Sequence, residues 1–137
     1  MTRGRPSGPK VRCGGAWTEA KYKSFIKQLL RRGTIRWGPI QKCAKDASTR
    51  RGFFKCASCG EEHPVTILLN GKRVKNKFVD HIDPVVDPAL GFTTWDSVIN
   101  RMFCEIDNLQ VLCKGCHDIK SAEEREIAKN RGNEDDE

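Results

Sequence analysis

Two runs, Phe78-Val79-Asp80-His81-Ile82 and Asn108-Leu109-Gln110-Val111-Leu112-Cys113-Lys114-Gly115-Cys116-His117, decide how the 137-residue chain is read. The first has the composition of a β-strand ending on an Asp-His pair. The second reads as a strand entering a Cys-x-x-Cys knuckle and leaving it as a helix, with His117 in the opening turn. Neighbouring side chains of a regular strand point to opposite faces, so Asp80 and His81 cannot both aim at one spot. The aspartate is therefore expected where the strand ends and the backbone turns, since Asp83-Pro84 closes the run.

Upstream, Cys56-x-x-Cys59 repeats the knuckle of Cys113-x-x-Cys116, using four of the seven cysteines. Thiols stay reduced in the cytosol, so in a chain of this kind they point to metal rather than disulfides. Four thiolates suit tetrahedral Zn²⁺. The separation of Cys59 from Cys113 exceeds the usual zinc-ribbon interval, and two unrelated thiol pairs or a redox Cys-x-x-Cys is the competing reading. Cys13, Cys43 and Cys104 are expected to be buried or unreactive.

Phe53-Phe54-Lys55 leads into the first knuckle as a strand. Beyond it, Val65 to Leu69 and Arg73 to Ile82 flank Asn70-Gly71, a type I′ turn signal, which predicts a β-hairpin delivering Asp80-His81. His63, just before Pro64, is expected in an exposed loop, with a metal role as the alternative. Residues 83–107 form an insertion in which Thr94 caps a helix from Trp95 to about Phe103. Val98, Ile99 and Met102 should face inward, and Trp95 should anchor the core. A last helix is expected from Lys114 to about Ala128. Lys120 falls on roughly the face of His117, as a phosphate contact or a plain surface lysine.

The chemistry these residue types support is phosphodiester hydrolysis. It needs a water made nucleophilic near neutral pH, a cation for charge on the phosphoryl oxygens, and help for the leaving oxygen. A histidine suits the first task and a carboxylate with a second imidazole the next. Asp80, His81 and His117 supply that set.

Asp80-His81, Asn108 and His117, with Cys56-x-x-Cys59 and Cys113-x-x-Cys116, resemble the HNH family of endonucleases, built on the ββα-metal fold. Trp95, Phe103-Cys104-Glu105 and Leu109-Gln110-Val111-Leu112-Cys113 extend the likeness, which is closest to small free-standing HNH endonucleases of tailed bacteriophages and covers about residues 53–128. The resemblance implies that His81 is the general base and that Asp80 and His117 hold the catalytic ion. It also implies that Asn108 tethers the loop and orients the base, and that products carry 5′-phosphate and 3′-hydroxyl ends. Asp80 stands where the commonest pattern has histidine, which favours Mg²⁺ or Mn²⁺ over Zn²⁺ there. One site nicks one strand, so a double-strand break needs a homodimer or two visits; homing is one role of such enzymes. The alternative is a zinc-stabilised nucleic-acid-binding or packaging accessory protein without cleavage.

Composition frames this reading. Residues 1–55 carry 15 Lys/Arg against Glu19 and Asp46, while the remainder carries 10 against 16 acids. A basic front half implies a polyanion, with double-stranded DNA the simplest partner and packaging or host proteins as further candidates. Arg31, Arg32, Arg50, Arg51 and Lys120 are the candidate nucleic-acid contacts. No stretch approaches the ~18 apolar residues of a membrane span and no apolar signal core opens the chain, so it is expected in the cytoplasm, the host's if phage-encoded.

The expected fold class is α+β. A flexible basic arm (1–16) precedes a helical extension (17–52), the nuclease domain (53–128) and an acidic disordered tail (129–137). Within the extension, Thr18 caps a helix from Glu19 to Arg32 that Gly33 closes, with Trp17 stapled over Tyr22. Pro39 opens a second helix to about Ala47, ended by the run Ser48 to Gly52.

Overall fold

The computed structural model describes residues 8–135. The first seven residues of the expected basic arm and the last two of the expected tail lie outside them. The chain divides after Ile35. That break falls earlier than composition predicts because the second N-terminal helix lends Cys43, Ile40 and Ala47 to the core that follows it.

In the first unit, β1 (Lys10–Arg12) and β2 (Trp17–Thr18) pair antiparallel around a single 3₁₀ turn and lead into α1 (Glu19–Gly33). Part of the expected flexible arm is therefore structured, and Arg12 accounts for it. Its guanidinium meets Glu19 at 2.8 Å and lies 4.2 Å from the centre of the Tyr22 ring. The pairing holds the Glu19 carboxyl below its ordinary range. Thr18 caps α1 as predicted, accepting from the Lys21 amide at 3.2 Å. Trp17 meets Phe25 edge-on at 5.1 Å, leaving Tyr22 to Arg12. At the far end the Thr34 hydroxyl donates to the Arg31 carbonyl at 2.6 Å, taking the closing role expected of Gly33.

In the second unit, α2 (Gly38–Asp46) starts on Pro39, whose missing N–H costs nothing in a first turn. A three-stranded antiparallel sheet follows, from β3 (Ser48–Arg50), β4 (Phe53–Lys55) and β5 (Glu62–Pro64). The run beginning at Ser48 is thus a strand as well as a helix terminator. Next come the hairpin β6 (Thr66–Leu69) and β7 (Lys72–Lys75), then β8 (Lys77–His81). Asn70 and Gly71 both have positive φ, 52° and 77°, as a type I′ turn demands.

The hairpin does not itself carry Asp80-His81. Asn76 breaks the run: it is only 3% exposed, and its amide and side chain bond back to the carbonyls of Val65 and Pro64. The chain then leaves as β8, which pairs antiparallel with β9 (Leu109–Cys113). Between them lies α3 (Trp95–Met102), capped by Thr94, and β9 passes directly into α4 (Lys114–Asp135). Helix α4 thus continues well past Ala128, through most of the stretch expected to be a disordered tail.

Phe54, Cys56, Leu109, Val111, Leu112 and Cys113 form the buried centre with Cys43. Val98 and Met102 are buried, but Ile99 is 40% exposed, contrary to expectation. In a helix of eight residues the inward stripe has room for positions four apart, and Ile99 falls beside it. Among the described residues no helix is long and apolar enough to cross a membrane.

Candidate functional site

The register of β8 on β9 sets the geometry: Lys77 faces Cys113 at one end and His81 faces Leu109 at the other. The thiols gather at the first end. Cys56, Cys59, Cys113 and Cys116 place their sulfurs within 4.8 Å of one another. A tetrahedron of thiolates ~2.3 Å from a central ion has edges just under ~4 Å, so this cluster can hold a metal, and zinc fits its donor set.

Backbone bonds assemble it. The Ala57 amide donates to the Val111 carbonyl at 2.8 Å, and the Cys113 amide reaches the Cys56 sulfur at 3.4 Å. Burial opposes ionisation of Cys56, yet the amides of Cys113, Cys59 and Ser58 and the Cys59 thiol bring it down to about 6. Burial and the thiols of Cys116 and Cys56 push Cys113 up to about 12. At Cys59 the Glu61 amide favours thiolate, but desolvation and the Cys56 and Cys116 sulfurs carry the thiol upward. Charge crowding divides the sulfurs in this way; a dication satisfies all four together.

His63 joins this end. It sits half-buried on β5 opposite Phe54, with Nε2 3.2 Å from the Cys59 sulfur. With Glu61 and Cys59 it forms a second group of ligand atoms within 4.8 Å. The expected loop histidine is instead a strand residue beside the thiols. Its spacing of four from Cys59 was the available signal.

At the opposite end Asp80 and His81 belong to unbroken strand, so Asp80 does not sit at a turn. Alternation puts Phe78 and Asp80 on one face of β8 and His81 on the other. Helix α4 covers the first face. The His117 ring stacks on Phe78, centroids 4.4 Å apart and planes 12° from parallel, and one turn later the Lys120 ammonium lies 3.1 Å from Asp80. Gln110, opposite Asp80, donates to the same carboxylate at 3.0 Å.

Lys120 also donates to the His81 carbonyl at 3.0 Å and to the Glu124 carboxylate. Burial disfavours its charge, but Glu124 and Asp80 hold the ammonium above the usual lysine range. The expected phosphate contact is therefore engaged inside the site. Nδ1 of His117 is buried without a hydrogen-bond partner. The carboxylate beside it is that of Asp118, at 3.8 Å. Asp80, His81 and His117 are not among the described residues whose ligand atoms lie within 4.8 Å of one another, so one cation shared by Asp80 and His117 requires the two side chains to draw together.

On its own face, His81 places Nε2 2.9 Å from the Met102 carbonyl. Met102 ends α3, so its carbonyl has no partner within the helix and is free to accept. A carbonyl cannot donate; Nε2 therefore carries the proton, and the neutral ring offers Nδ1 as its base. The loop after β8 is pinned by Asn108, whose Oδ1 accepts from the Asp83 amide at 2.8 Å and whose Nδ2 donates to the Asp83 carbonyl at 3.2 Å. Arg101 adds a 3.1 Å pair to the Asp83 carboxylate.

Of the other expected contacts, Arg31, Arg32 and Arg51 are exposed, while Arg50 pairs with Glu62 at 3.0 Å and lies over Phe53. Met102, Gln110 and Glu124 escaped the sequence reading. Cross-strand register reveals Gln110, and spacing of four from Lys120 reveals Glu124. Only the end of α3 reveals Met102. Comparison with protein-family models, with curated proteins and with solved structures gives no match to this chain.

Proposed function

We propose that the protein is a metal-dependent HNH-type endonuclease that hydrolyses one strand of duplex DNA per encounter, with its four cysteines holding structural zinc. His81 carries the reading. Its Nε2 is committed to a carbonyl acceptor, which leaves Nδ1 free to take a proton from water, and the ring is fixed before substrate arrives. The C-terminal end of α3 supports the positive charge the ring gains.

Asn108 holds the loop behind His81 closed, as the resemblance implies for that position. Asp80 and His117, whose Nδ1 makes no hydrogen bond, are the residues that would hold a cation once drawn together, with Lys120 leaving Asp80 and keeping its bond to Glu124. When bound there, Mg²⁺ or Mn²⁺ supplies electrostatic stabilisation of the phosphoryl oxygens and of the leaving 3′-oxygen. Strand β8, strand β9 and helix α4 then correspond to the ββα unit of that family.

One observation favours the alternative of a zinc-stabilised nucleic-acid-binding or packaging protein: Lys120 occupies the carboxylate a cation needs. Supercoiled plasmid separates the two. An endonuclease converts it to open circle with Mg²⁺ or Mn²⁺, EDTA stops it, and His81→Ala is inert. Binding with no nicking under any of these conditions refutes the endonuclease.

A further inference from the structure

Between His63 and Val79 the chain contains no acidic residue, yet it carries Lys72, Arg73, Lys75 and Lys77. The first three lie on strand β7, and β6 with β7 forms a ribbon that pairs with no other strand among the described residues. Register sorts its faces. Thr66 lies opposite Lys75 and Leu68 opposite Arg73, so these four share one side; Ile67 and Val74 pair on the other. Ile67 and Val74 are half-buried, whereas Leu68, Arg73 and Lys75 are exposed, Leu68 by 65%. The outward face therefore joins two cations to a bare leucine beside the tip. Among the described residues none of Lys72, Arg73 and Lys75 forms an ion pair with a carboxylate.

The ribbon is also tied to the site. Lys75 places its ammonium 5.0 Å from the centre of the Phe78 ring, the ring on which His117 stacks at 4.4 Å. These contacts keep the ammonium within about 10 Å of the His117 ring, the rise of roughly three nucleotides along one strand. Asn76 fixes the base of the ribbon, so its direction is set by the fold.

We propose that the β6–β7 ribbon is the duplex-gripping element of this protein. Arg73 and Lys75 on the outward face, with the exposed Lys72 beside the tip on the other, contact phosphates flanking the scissile one, and the exposed Leu68 side enters a groove, which a two-stranded ribbon fits. The proposal rests on the nuclease reading for its substrate but not for its test.

Fluorescence anisotropy of the full chain with a labelled 20-base-pair DNA duplex, in EDTA so that no cleavage occurs, measures affinity across a salt series. Neutralising three phosphate contacts, with Lys72→Gln, Arg73→Gln and Lys75→Gln combined, is expected to lower the slope of log affinity against log salt by about 2 to 3. Affinity at low salt falls at least tenfold. The charge-keeping set Lys72→Arg, Arg73→Lys and Lys75→Arg retains the slope, which separates lost charge from lost folding. Unchanged slope in the neutralised protein, no binding of duplex by the parent, or binding confined to single-stranded RNA overturns the ribbon proposal. A ribbon-dependent slope in a parent that never nicks plasmid supports the ribbon and refutes the nuclease; nicking with an unchanged slope does the reverse.

Discussion

Strand pair β8–β9 carries a different kind of site at each end. At the Lys77–Cys113 end four sulfurs converge, and backbone bonds hold the two knuckles together. Toward the His81–Leu109 end alternation holds Asp80 and His81 on opposite faces, with Lys120 on the carboxylate, while His117 stacks on Phe78 nearer the thiols. The first end suits one tetrahedral ion; at the second, Lys120 and Gln110 already occupy the Asp80 carboxylate. The contrast teaches how one strand pair in a small core can gather like ligands at one end and oppositely charged side chains toward the other.

The sharpest way to break this contrast is to remove a thiol. Cys113→Ser, or stripping zinc with a strong chelator, should abolish the cooperative thermal transition followed by circular dichroism, since such zinc supplies on the order of 10–16 kcal/mol of folding free energy. Retention of a sharp melt would show that the apolar core suffices. His81→Ala tests the other end. Plasmid nicking should fall about 10²- to 10⁴-fold while zinc content and melting temperature stay put. A parallel loss of zinc would mean that the two ends are not separable.

Titration sharpens the division. Cys113, pushed up to about 12, and Cys59, also raised, keep their protons near neutrality, whereas Cys56, at about 6, has already lost its own. Zinc uptake at pH 7 should therefore release protons, and affinity should climb with pH by about tenfold per unit for each proton displaced. Calorimetry in buffers of different ionisation enthalpy counts them; no buffer dependence would contradict the thiol assignments. His63→Ala should speed zinc loss to a chromogenic chelator about 10- to 100-fold with the fold intact, because it removes the bond to Cys59. The smallest effect is expected from Lys120→Met, which frees Asp80 and should tighten Mn²⁺ binding, read by electron paramagnetic resonance, about tenfold or less. Weaker binding would make Lys120 an organiser of the site instead of a competitor.

Sequence made the local features legible and left the distant ones hidden. The caps at Thr18 and Thr94, the Asn70-Gly71 turn and both Cys-x-x-Cys knuckles each depend on residues a few positions apart, and each forms as their chemistry requires. Residues 78–82 and 108–117 were read as strand, strand and helix for the same reason. What periodicity could not carry was pairing at long range. His81 on Met102, Lys120 on Asp80 and Asn76 on Lys114 join positions 21, 40 and 38 residues apart. Nor does composition reveal that Arg12 organises a segment otherwise rich in glycine and cation.

Asn76 has one more effect. Its side-chain oxygen accepts the amide of Lys114, the first residue of α4, so the helix is capped by a residue made long before it. Closing that loop costs on the order of 3 kcal/mol of chain entropy, which α4 must recover from the sheet rather than from its own short-range bonds. During synthesis the strand bearing Asp80 and His81 emerges first and stays without its cover until the C-terminal helix arrives. Competence is thereby tied to completion of the chain: a truncated or half-made copy cannot assemble the pair of faces on which any activity here depends.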